Sequence, residues 1–93
     1  MKNNDVILKY NYVIDKFREL LYTSLLKAFS KEELEPMNLT NYIFEAEKLY
    51  PKEAKAFGLL RYLYIDSSDD LYIKIYDLMN LYDYMKGVII DEK

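Results

Sequence analysis

Residues 71–86 read LYIKIYDLMNLYDYMK, and the fold class turns on how that run is read. Its opening Leu-Tyr-Ile-Lys-Ile-Tyr is rich in the β-branched and aromatic side chains that suit a strand. Over the whole run, however, Leu71, Ile75, Leu78, Tyr82 and Met85 step by four and three, which is one face of a helix, and the rhythm persists past residue 80. The spacing predicts a helix over about 69–86. A serine of the preceding Asp66-Ser67-Ser68-Asp69-Asp70 caps it and carboxylates lie beside the positive end of its dipole. Gly87 is placed as its left-handed stop, with the tail from Val88 to Lys93 laying its apolar residues across the bundle.

Upstream of that run the same rhythm recurs. A helix is predicted over about 51–65, apolar nearly all round between Ala54 and Ile65 and therefore buried. Gly58 inside it suggests a close approach by a neighbouring backbone or ring. Pro51 opens this helix and ends its predecessor, because proline suits the first helical position and disfavours helical geometry in the residue before it. That predecessor spans about 39–50, capped by Asn38, with Met37 and Tyr42 spaced as a hydrophobic staple. Ser30 followed by Glu33 has the spacing of a capping box, so a single helical turn fits in the break that Pro36 makes. The first helix is predicted over about 5–29. Val6, Ile7, Tyr10, Val13, Ile14, Phe17, Leu20, Leu21, Ser24, Leu25 and Ala28 share one side of it, Asn4 or Asp5 caps it, and Asp5 pairs with Lys9. Four helices on short loops predict an all-α, small antiparallel four-helix bundle-like domain covering residues 1–93.

Composition excludes much chemistry. Cysteine and histidine are both absent, which removes disulfides, zinc fingers, thiol nucleophiles, the Ser/His/Asp triad and imidazole metal sites. Gly58 and Gly87 are isolated and make no phosphate loop. Asp66, Asp69 and Asp70 lack the glycine and the twelfth-position glutamate of a calcium loop; capping explains them. Glu32, Glu33 and Glu35 read as a solvated loop cluster. Helical ribonucleases of the HEPN type need a histidine that this chain does not have. The expectation is a protein that is not an enzyme and uses no cofactor and no metal, with a small enzyme built on Asp, Glu, Lys, Tyr and Ser as the distant alternative.

Net charge is −3, running from +2 in residues 1–30 to −2 in 31–60 and −3 in 61–93. Lys2, Lys9 and Lys16 repeat every seven residues beside Tyr12, but Asp5, Asp15 and Glu19 interrupt the ridge, so direct nucleic-acid binding is not expected. No run is apolar enough for a membrane span or a signal peptide. A cytoplasmic protein that does not engage a membrane is expected.

The tyrosines are the unusual feature. Eleven of the 93 residues are Tyr, and 48 are apolar in all, whereas four such helices offer roughly 29 interior positions. A surplus of about 19 is left for the surface. Tyr72, Tyr76 and Met79 form a stripe beside the core face of the last helix, continued by Asp83 and begun by Asp69, while Tyr22 and Leu26 lie opposite the core face of the first. These residues are the candidate partner-binding site, since Tyr and Met are enriched where proteins meet. They suggest a protein partner, with a basic surface to suit the acidic neighbours, or a second copy in a homodimer.

The A+T-rich style of the composition, with much Lys, Asn, Ile, Tyr and Asp, and the small cysteine-free helical architecture resemble phage-encoded inhibitors of host defence, including anti-CRISPR proteins, and the four-helix bacteriocin immunity proteins. The likeness covers composition and architecture only and transfers no residue. It implies a protein-binding module acting by stoichiometric occlusion, such as a phage- or mobile-element-encoded inhibitor of a bacterial host complex. The alternative is a homo-oligomeric structural or immunity-type bundle.

Overall fold

The chain's structure, a computed structural model, describes residues 2–90, with side-chain surroundings from residue 4 onward. Its order is α1 (Lys2–Leu25), a one-turn α2 (Lys31–Leu34), α3 (Leu39–Leu49), α4 (Ala54–Arg61) and α5 (Leu71–Ile90), with a 3-10 turn at Pro51–Glu53 and a π turn at Tyr62–Asp66. Among the described residues there is no strand. The 71–86 run is helical throughout, as its spacing predicts, and the domain is a small all-α helical bundle.

Caps set most of the boundaries. Ser30 accepts from the Glu33 amide at 3.1 Å while Glu33 Oε1 accepts from the Ser30 amide at 2.8 Å, completing the capping box that starts α2. Asn38 Oδ1 accepts from the Asn41 amide at 2.9 Å and starts α3. At α5 the cap is Asp70 and not a serine: Asp70 Oδ1 accepts from the Ile73 amide at 3.1 Å, and Ser67 Oγ accepts from the Asp69 amide, tightening the approach instead. Asn4 and Asp5 lie inside α1, which begins earlier than their capping chemistry suggests, and Asp5 forms no ion pair with Lys9 among the described residues.

Both glycines depart from expectation. Gly87 has no positive φ and lies within α5, which continues to Ile90 because Ile89 follows Met85 by four on the buried stripe. Val88 is half-buried, so the tail joins the helix as far as 90; residues 91–93 lie outside the described residues. Among the described residues no ring or backbone comes close at Gly58; the nearest atom to an added Cβ is the Arg61 guanidinium at 3.8 Å.

The core draws on every α-helix and on Leu63 of the π turn. Among the described residues, twenty-one apolar side chains are buried and nine more pack against them half-buried, close to the roughly 29 interior positions that helix periodicity allots. From the face expected of α1, Ile7 and Ala28 are outside the core. Phe17, fully buried, meets the Tyr82 ring edge-on at 5.4 Å. Two tyrosines enter the core with their hydroxyls partnered, as burial of a phenol requires: Tyr42 donates to the Leu34 carbonyl at 3.0 Å, and Tyr50 accepts from Lys27 Nζ at 3.1 Å. On the α3–α4 side, Arg61 pairs with Glu47 at 3.0 Å and lies over the Phe44 ring.

The two long helices lie side by side and run the same way, which departs from strict up-down alternation. Tyr10 of α1 is level with Lys74 of α5, whose Nζ is 6.0 Å from its ring, and Phe17, seven residues on, is level with Tyr82. The chain returns through α4 and the π turn, with Glu53 at Tyr84 and Tyr64 beside Tyr10. At 24 residues and about 1.5 Å per residue, α1 accounts for most of the molecule's 41 Å long axis.

Candidate functional site

Parallel packing of α1 against α5 leaves a seam along the surface, and off-core residues of both helices line it. A groove of about 310 Å³ is lined by Lys9, Tyr12, Val13 and Lys16 of α1 and by Ile75, Met79, Tyr82 and Asp83 of α5. It continues toward the start of both helices, where Asp5, Val6, Leu8, Lys9 and Tyr12 face Tyr72. Lys9 and Tyr12 belong to both stretches, so the seam is one groove.

Its apolar lining is open to solvent. Tyr72 is 63 % exposed, Tyr76 69 %, Met79 52 %, Leu8 65 % and Tyr12 62 %. Tyr76 lines neither stretch and stands on the outer lip, one helical step from both Tyr72 and Met79. The rings are held by cations: Lys16 Nζ lies 5.7 Å from the Tyr12 centroid and 5.9 Å from that of Tyr82, bridging the two walls. Such a contact contributes about 0.5–1 kcal/mol at an exposed site, enough to restrict the rings without burying them. Lys9, Lys16 and Asp83 rim the groove without an ion pair among the described residues.

The remaining candidates lie apart. Asp69 precedes α5, at the end of the groove that holds Tyr72. Leu26, 39 % exposed, follows the last turn of α1, far along the helix from Tyr72. Tyr22 does not lie opposite the core face: it is half-buried, packs on the core with its ring 6.4 Å from that of Tyr42, and faces a separate cleft with Arg18, Lys31, Glu32, Glu35 and Met37. The staple partners Met37 and Tyr42 line that cleft together. Tyr22 falls at the edge of the α1 core stripe, where α3 covers it.

Spacing along the chain places Tyr12 on an interrupted basic ridge and does not by itself single out the α1 wall of the groove. What signal there is lies in Leu8 and Tyr12, four residues apart and off the buried stripe of α1, the same pattern as Tyr72 and Tyr76 on α5.

Two phenols have raised pKa values. Tyr10, behind the seam, is raised by burial and then by the neighbouring Tyr64 phenol, since both effects disfavour a phenolate. Tyr84 is raised because its hydroxyl donates to Glu53, a bond that only the protonated phenol makes.

Comparison with known protein families, curated proteins and solved structures gives no match. The functional reading of this face therefore rests on its geometry.

Proposed function

We propose that this chain is a non-enzymatic protein-binding module that acts stoichiometrically, covering a surface of the protein it meets with the α1/α5 face. The supporting observation is the contiguous row of exposed Leu8, Tyr12, Tyr72, Tyr76 and Met79 along one charge-rimmed groove. Single exposed apolar residues are ordinary on any protein, whereas a contiguous patch rimmed by polar groups is the mark of an interaction site. Tyrosine suits such a surface because it has two side-chain torsions to immobilise and a large area to bury, and methionine adapts to the irregular gaps between rings. Occlusion needs no reacting group, which fits a chain without Cys or His.

The test is site-specific photocrosslinking in the native host. A benzophenone side chain at position 79 should yield covalent adducts, one at position 62, on an exposed turn away from the groove, should not, and Tyr72→Ser with Tyr76→Ser should abolish the position-79 adducts. A folded chain that gives no adduct from position 79 refutes the proposal.

A further inference from the structure

Resting on that docking-face reading, we propose that the occupant of the α1/α5 groove is a second copy of this chain, related by a two-fold axis running along the groove. Charge complementarity supports this partner. The α1 wall presents Lys9 and Lys16, with Asp5 at its start, the α5 wall presents Asp83, and no ion pair joins either lysine to Asp83 within one copy among the described residues. An axis parallel to the helices lays α1 of one copy on α5 of the other. Because α1 and α5 run the same way with Phe17 level with Tyr82, that rotation brings Lys16 to the height of the other copy's Asp83, twice over.

Area supports the same occupant. A fully buried aromatic contributes about 150–250 Å². With the exposures of Tyr12, Tyr72 and Tyr76, and with Leu8 and Met79 added, one copy offers roughly 500–600 Å² of apolar surface before the charged rims are included. A standard interface covers about 800 Å² per partner, so the patch and its rims match one such interface. Four parallel helices align their dipoles, but Asp5 in the first turn of α1 and Asp70 at the cap of α5 place carboxylates at the positive ends, offsetting that repulsion.

The experiment is size-exclusion chromatography with light scattering across a concentration series, with helicity checked by circular dichroism. The wild-type chain should give twice the 11.2 kDa monomer mass. Lys16→Asp and Asp83→Lys should each weaken the dimer by roughly tenfold or more, because each sets like charges together at two places. Mixed in equal amounts they should recover it as a heterodimer, since both pairs are then opposite in sign. Tyr76→Asp, at the most exposed ring, serves as an independent monomerising variant if either charge swap fails to fold. A wild-type monomer up to millimolar concentration, a dimer indifferent to these substitutions, or a mixture that stays monomeric overturns the proposal. Position-79 crosslinks that reach other proteins and never a second copy also overturn it while leaving the docking-face reading standing; absence of all crosslinks removes both.

Discussion

Replacing Gly87 by alanine separates two incompatible descriptions of the end of α5. As a left-handed helix stop, position 87 would resist a Cβ, and alanine would cost about 1–2 kcal/mol. In the structure Gly87 has no positive φ, lies inside a helix that reaches Ile90, and has nothing among the described residues within 4 Å of an added Cβ. Alanine then stabilises by about 0.5–1 kcal/mol, through better helix propensity and a less flexible unfolded chain. For a domain of this length, with an unfolding entropy of about 2 cal/mol/K per residue, that is a rise in Tm of roughly 3–5 °C. Thermal melts followed by circular dichroism, with urea titrations to test two-state behaviour, resolve such a change. A fall in Tm would refute the continuous helix and with it the burial of Ile89.

Other perturbations have equally definite signs. Phe17→Ala removes a fully buried ring packed on Tyr82 and should cost about 3–5 kcal/mol in urea unfolding, a large part of the 5–15 kcal/mol typical of a whole domain. Ser30→Ala breaks the reciprocal cap of α2 and should cost about 1 kcal/mol in the same assay. Tyr72→Ser with Tyr76→Ser, measured dilute enough to keep the chain monomeric, should shift stability by no more than about 0.5 kcal/mol per site, as expected of exposed positions; a large loss there would show that the rings serve the core. The raised pKa values of Tyr10 and Tyr84 mean that the folded state holds its phenolic protons above the ordinary value near 10. Their contribution is intact below that value and is lost as pH rises through the folded pKa values. Urea unfolding between pH 9 and 12 should therefore show falling stability, with phenolate absorbance appearing in parallel.

What was legible in the sequence was what depends on neighbours along the chain. The four-and-three spacing of Leu71, Ile75, Leu78, Tyr82 and Met85 outweighed the β-forming letters around it, since a pattern persisting over several turns reports burial while propensity alone is easily overridden. Asn38 and the Ser30–Glu33 box were readable because a cap bonds to an amide three residues away. Gly87 misled because glycine is used both to stop a helix and inside one; the deciding clue was Ile89, four residues after Met85. The stripe on α5 was visible for the same reason as its core face, but the opposing wall was not. Leu8 and Tyr12 join it only because α1 and α5 run in the same direction, and no local spacing encodes the direction of one helix against another. Tyr22 was misplaced because α3, a distant segment, covers it.

The π turn at Tyr62–Asp66 also bears on how this chain's length can vary. Closed by the Ser67 amide on the Tyr62 carbonyl at 2.7 Å, it carries one residue more than an α turn over the same span. Ile65 within it is exposed, while Leu63 holds the turn to the core. Loss of a single residue there would tighten the turn to ordinary α geometry and leave Phe57 and Leu60 seated, so a one-residue deletion at this junction should preserve the pairing of the two long helices.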